Sequence, residues 1–152
     1  MDFALDDAQQ AVVESAAAIL AGAASGPDND LGAFESARAS GIDRDLWETL
    51  AGANLLGLAV TGEDGGSDLG LFEVYLLLEQ AGRAAAVAPL WPTLVLAGLP
   101  LARFATAAQR ERWLRPLAAG RLIGTAALVE VGADPATPTA DATTVARRHD
   151  SG

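Results

Sequence analysis

Glu63 and Asp64 stand side by side in Thr61-Gly62-Glu63-Asp64-Gly65-Gly66-Ser67-Asp68, a loop with three glycines. Paired carboxylates can share acid and base work when their separation is fixed. Adjacent acids in a glycine-rich loop have no such separation, so the sequence assigns both to solvent. The loop itself reads first as a tight helix-to-helix connection and second as a ligand loop, with Ser67 and Asp68 offering oxygens to cap the following helix. Arg110, Arg112 and Arg115 are spaced along one helix, either as a solvated face or as an anion site. His149, the one histidine, is the fourth residue from the end, and the sequence contains neither cysteine nor lysine. Thiol, Schiff-base and P-loop chemistry are thereby excluded, and a histidine triad or His-rich metal site is disfavoured. No residue is assigned a catalytic or metal-binding role.

The 152 residues are 51% hydrophobic and 20% charged, enough apolar matter for a real core. A formal charge of −10 disfavours a nucleic-acid backbone or an anionic membrane as partner. The opening MDFALDDAQQ has acids where a secretory signal has cations, so a cytoplasmic location is expected. Nineteen uncharged residues separate Arg83 from Arg103, nominally a membrane span. Pro89, Pro92 and Pro100 interrupt that stretch, and buried helices account for it better.

These residues must be positioned by helices. Asp6 or Asp7 caps a first helix to about Ala21, with Val12, Ala16, Ile19 and Leu20 at helical spacing. Turn chemistry runs from Gly22 to Asp30, a short helix follows over Leu31 to Ser40, and Gly41 stops it. Asp43 caps a helix holding Leu46, Trp47, Leu50 and Ala51, closed by a left-handed Asn54, with Trp47 as core anchor. From Leu69 to Leu78 the next helix is apolar on every side, which predicts a central helix wrapped by others and ending near Gly82. Pro89 and Pro92 start another, bent at Pro100, with Leu94, Val95, Leu99 and Phe104 buried. Trp91 reads as a core or interface anchor. Thr106 and Gln109 form a capping box for a helix burying Trp113, Leu114 and Leu117 and ending at Gly120. Leu122 to Glu130 and Thr143 to Arg147 then alternate like strands, so the chain reads as stopping just after a second domain has begun. Glu130 is placed after the first strand, and His149 in a solvated tail.

Five segments in order resemble the N-terminal region of the acyl-CoA dehydrogenase family: Phe3 to Gln9, Leu46 to Leu58, Thr61 to Asp68, Leu78 to Arg83 and Gln109 to Gly120. The match runs from Phe3 to about Glu130, and its last helical segment is the most specific. The resemblance implies a mainly α fold, with five or six helices over 1–121 as the N-terminal domain and one or two strands of a truncated middle β-barrel domain over 122–152. It implies FAD as the cofactor of the complete enzyme, an acyl-CoA substrate, fatty or steroidal, and a homo- or hetero-oligomer. The family's catalytic base lies in a C-terminal helical bundle beyond these residues, so this chain is expected to supply a wall of the acyl pocket and to be inactive alone.

The family's first barrel strand ends in Thr-Glu, then Gly, a small residue, and Gly-Ser-Asp beside the flavin. Here Val129 takes the threonine's place and Pro135 the serine's, removing a hydroxyl and an amide donor. Backbone contacts to the flavin from Ala126, Leu128 and Val129 are what the resemblance leaves. Three other readings stand beside the dehydrogenase one: a flavin-degenerate partner subunit, a noncatalytic helical association module, and a flavin monooxygenase of the same architecture.

Overall fold

A computed structural model describes residues 4–25, 31–128 and 145. Among them six helices appear in chain order: α1 (Asp7–Ser25), α2 (Leu31–Ser40), α3 (Arg44–Gly52), α4 (Leu71–Arg83), α5 (Trp91–Gly98 continuing through Leu99–Phe104) and α6 (Ala107–Gln109 continuing through Ala118). Short 3₁₀ turns at Leu55–Gly57 and Gly62–Asp64 link α3 to α4. No strand forms among the described residues. Residues 122–128 were expected to begin one, but among the described residues they have no neighbouring strand to pair with, and pairing is what defines a strand. Their exposure still alternates: Leu122, Gly124 and Ala126 are half-buried, whereas Ile123, Thr125 and Ala127 are exposed. The expected second strand at Thr143 to Arg147, apart from Val145, lies outside the described residues.

The helix starts follow their caps. Asp6 Oδ1 accepts from the Gln9 amide at 2.8 Å while Gln9 Oε1 accepts from the Asp6 amide at 3.1 Å, a reciprocal box opening α1. Asp43 Oδ1 accepts from the Leu46 amide at 3.0 Å, and Thr106 and Gln109 form the expected box at 3.3 and 2.8 Å. The cap of α4 differs from expectation. Gly70 occupies it, and Glu73 reaches back to the Gly70 amide at 2.7 Å, because Ser67 and Asp68 are engaged elsewhere in the loop. α1 also runs on to Ser25, past the turn expected from Gly22.

Two helix ends share one geometry. Gly120 has φ +71°, its amide donates to Leu117 O and the next amide donates to Pro116 O. At the end of α4 it is Ala85, at φ +50°, that takes the left-handed position, with Ala85 N–H donating to Gly82 O and Ala86 N–H to Ala81 O. The helix ends at Arg83, near Gly82 as expected. The Gly120 turn is further pinned by Trp47, whose indole Nε1–H donates to Gly120 O at 2.8 Å while its ring is 4% exposed. α3 and the end of α6 are thereby joined.

The core gathers Val12, Ala16 and Leu20 of α1, Leu46, Trp47 and Leu50 of α3, Leu55, Leu56 and Leu58 of the linking turns, Val74, Leu77 and Ala81 of α4, Leu94 of α5 and Leu117 of α6. α4 is central but not wrapped: Leu71, Phe72 and Tyr75 are 50–57% exposed, with the Phe72 and Tyr75 rings stacked at 6.2 Å. Phe104 and Trp113, expected inside, are 77% and 39% exposed. Each lies at the outer side of its helix, where burial is decided by neighbours that periodicity does not reveal.

Both proline-bearing helices are π-wound in the turn before the proline: Trp91–Gly98 ahead of Pro100, and Arg110–Leu114 ahead of Pro116. There Leu99 donates to Leu94 O and Arg115 to Arg110 O, five residues back. Widening the turn accommodates a ring that would otherwise meet a carbonyl four residues earlier.

A Cβ at Gly120 would lie 2.5 Å from Ala51 Cβ and 3.1 Å from Leu56 Cδ1, in a left-handed residue. Gly120→Ala is therefore expected to lower the unfolding free energy by about 3 kcal/mol in urea titration. Gly22→Ala, in a helix with open space around the added atom, is expected to raise it by about 0.5–1 kcal/mol.

Candidate functional site

The glycine-rich loop is closed upon itself. Ser67 and Leu69 amides donate to Gly57 O and Leu58 O, Asp68 N–H to Val60 O, and Gly66 N–H to Thr61 O. Asp68 Oδ2 accepts from the Gly62 amide at 2.9 Å, and Asn54 Nδ2 donates to Ser67 Oγ at 2.9 Å. A Cβ on Gly66 would lie 2.1 Å from Val60 O, so this crossing admits only glycine. These backbone and side-chain groups of the loop are spent on its own folding, which supports the tight-connection reading over the ligand-loop one.

Glu63 is exposed as expected, but Asp64 is 6% exposed and far from solvated. Its carboxylate accepts from Arg110 Nη1 at 2.8 Å and from Arg115 Nε at 3.1 Å. Arg110 also donates to Ala105 O and Ala102 O, and Arg115 pairs with Glu111. Two of the three helical arginines thus clamp α6 to the loop, and only Arg112 stays on a solvated face. The Arg110 bond holds Asp64 below the usual carboxylate range, burial works against it, and Arg115 adds to the lowering.

A second buried carboxylate, Glu73, accepts from Gln9 Nε2 at 3.0 Å and from Gly70 N–H, tying the start of α1 to the start of α4. Burial pushes it up, and the bonds from Gln9 and the two backbone amides outweigh burial, leaving it below its usual value. Sequence reading missed Glu73, although its position three residues after Gly70 is a capping signal. It also missed Thr93, fully buried on α5, whose Oγ1 has no partner among the described residues. Nothing in the local pattern marks that hydroxyl as orphaned.

A partly open apolar surface lies on α5. Trp91 is 54% exposed, and Val95, Leu96 and Leu99 are half-buried, while Thr93, Leu94 and Gly98 face the core. Beneath α5 lies a void of about 10 Å³ bounded by Leu56, Val60, Val74, Leu94, Leu99 and Leu117. It is too small for an acyl chain.

Of the three residues expected at a flavin, Ala126 is half-buried, Leu128 is 75% exposed, and Val129 lies outside the described residues with Glu130, Pro135 and His149. Gly124 seats the segment: a Cβ there would come within 3.0 Å of Ala97 on α5 and 3.5 Å of Leu117 on α6. Among the described residues the backbone groups of Ala126 and Leu128 form no hydrogen bond. They fit a role in donating to and accepting from a flavin edge, and they fit an adjoining strand equally.

Residues 6–121 match the family model described as the acyl-CoA dehydrogenase N-terminal domain. The chain belongs to the acyl-CoA dehydrogenase family. It is 43% identical over 93 residues to acyl-CoA dehydrogenase FadE28 of Mycobacterium tuberculosis, a match covering 60% of this chain and 27% of that protein. Among solved structures it is similar to a variant of the Tcur3481–Tcur3483 steroid ACAD, with 37% identity, TM-score 0.69, 83% of this chain and 34% of the other. The ChsE4–ChsE5 complex from Mycobacterium tuberculosis matches with 28% identity and TM-score 0.73, over 89% of this chain and 36% of the other. The chain thus spans about a third of the length of these relatives. Among the described residues no helix is long and apolar enough to cross a membrane, and no cluster suited to a metal appears.

Asp64 should make stability depend on pH. Its folded-state pKa is depressed, so its contribution is present above the unfolded value near 3.8 and is lost as pH falls through the lower folded value. Asp64→Asn is expected to cost about 2 kcal/mol at pH 7. In paired urea titrations the gap between the two proteins should shrink only as pH drops below the ordinary carboxylate range. A gap that is flat down to pH about 2 would remove the ion pair from the account.

Proposed function

We propose that this chain forms the helical wall of the acyl pocket in an acyl-CoA dehydrogenase, with the pocket completed by other domains or another subunit. The observation that carries this is the half-open apolar face of α5, Trp91, Val95, Leu96 and Leu99, beneath which the void is only about 10 Å³. Desaturation of an acyl-CoA removes an α proton and a β hydride, and the family's FAD accepts the hydride when bound. This chain's part is to bind and orient the acyl group and to keep water from it. The only carboxylates buried among the described residues, Asp64 and Glu73, are consumed by structural bonds, so neither is free to act as base. The broad apolar face, with an indole at one end, suits a bulky acyl group such as a steroid side chain, in keeping with the steroid ACAD among its relatives.

Residues 122–152 are read as the start of the middle β domain, and Ala126, Leu128 and Val129 as its backbone contacts to FAD. The loss of the threonine hydroxyl at Val129 and of the amide at Pro135 favours a second reading. In it, this chain is the flavin-poor partner in a mixed oligomer, consistent with a relative solved as a complex of two named chains. Flavin absorbance, measured on the purified chain alone and with a companion subunit, separates the two readings.

In the assembled enzyme Val95→Trp should narrow the pocket, raising KM for a bulky acyl-CoA about tenfold or more while sparing a short-chain thioester. Equal losses on both substrates, or none, would remove α5 from the pocket wall.

A further inference from the structure

A proline inside a helix takes a donor from the carbonyls that precede it. In α5 the amides able to close on Val95 O are that of Leu99 in α winding and that of Pro100 in π winding. Leu99 donates to Leu94 O instead, and Pro100 has no N–H. Among the described residues no side chain and no amide of another element donates to Val95 O. The Val95 carbonyl is therefore an open acceptor inside a helix.

Glu111 O of α6 has lost its donors in the same way, because Arg115 donates to Arg110 O and Pro116 follows. The surroundings of the two carbonyls differ. Glu111 is exposed, as are Arg112 and Arg115, so solvent can complete the bonding of its carbonyl. Val95 stands on the apolar face of α5 with Leu96 and Leu99, all three half-buried, and with the indole of Trp91 one turn earlier. A helix carbonyl points toward the C-terminal end of its helix, so Val95 O lies over the turn of Leu99 and the exposed Pro100. Thr93 Oγ1, the unpaired hydroxyl of the same helix, is fully enclosed on the core side and out of a ligand's reach. Once the face of α5 is covered, water is kept from Val95 O. A purely hydrocarbon acyl group would leave that acceptor desolvated and unpaired, whereas a hydroxyl would supply the missing donor.

We propose that Val95 O accepts a hydrogen bond from the acyl group, and that the substrate is an acyl-CoA with a hydroxyl beyond its β carbon, clear of the departing α proton and β hydride. This rests on the reading of α5 as a wall of the acyl pocket.

The test compares, in the assembled enzyme, octanoyl-, decanoyl- and dodecanoyl-CoA with their terminally hydroxylated counterparts. For at least one chain length the hydroxylated form should have a KM about threefold to tenfold below that of its parent. Pro100→Ala restores the donor: the new amide reaches Val95 O in π winding, and Leu99 reaches it in α winding. In that variant the preference should invert, since a hydroxyl entering an apolar wall without an acceptor loses its water and gains no partner. Slow hydrogen exchange at residue 100 in the full chain checks that the restored amide is bonded. Pro116→Ala makes the same repair in α6 and should leave the preference as it was. Equal KM values for every pair overturn the proposal, as does a preference that survives Pro100→Ala with its amide protected, or one that Pro116→Ala abolishes equally. If Pro100→Ala does not fold, the pairwise comparison in the unaltered enzyme decides. The wall reading has its own measurement: a Val95→Trp effect without a hydroxyl preference ends this proposal alone, whereas no effect of Val95→Trp on any substrate ends both.

Discussion

Asp64 is held by arginines that enter the chain 46 and 51 residues later, and this contact fixes how the glycine-rich loop meets α6. A carboxylate that is only 6% exposed must be paired, and both of its partners come from one helix face. Arg110 adds bonds to the carbonyls of Ala105 and Ala102, so the end of α5 is drawn into the same cluster. The loop, the end of α5 and the start of α6 thus share one electrostatic centre. The Trp47 bond to Gly120 performs a comparable role at the other end of α6, joining it to α3. Between these two fixed points Leu114 and Leu117 are buried almost completely.

What this frame leaves open follows from its packing. The void beneath α5 is smaller than a ligand, so that helix is filled against its neighbours there, and the exposed apolar surface points outward. Trp91 on α5 and Phe72 and Tyr75 on α4 are each at least half exposed. In relatives about three times as long there is chain to cover such surface. The unfilled apolar surface of this domain is thus an outward face, and what it can do depends on what is placed opposite.

The two π-wound stretches show how proline is tolerated within that frame. Pro100 and Pro116 each lie inside a helix, and each follows a widened turn. In α5 the widening accompanies a fully buried Thr93 whose hydroxyl is unpaired among the described residues, an arrangement with an energetic cost. Gly98, with Thr93 O only 3.2 Å from where a Cβ would sit, keeps that turn close to Leu117.

Local signals in the sequence determined the helices. Capping at Asp6, Asp43 and Thr106, the left-handed Asn54, Gly41 and Gly120, and the apolar spacing of Val12, Ala16 and Leu20 depend on residues within a turn or two of one another. The ordered motifs likewise carried the family, which the match over residues 6–121 bears out. Tertiary structure decided everything that depends on a distant neighbour. It buried Asp64, which the sequence left in solvent, and turned Arg110 and Arg115 from a solvated face into its partners. It exposed Phe104, Trp113 and Leu71, Phe72 and Tyr75 of α4 despite their hydrophobicity, and among the described residues it left 122–128 unpaired although their alternation is that of a strand. Hydrophobic periodicity states which residues can be buried, but burial and pairing require a second surface, and the position of that surface is set by contacts dozens of residues away.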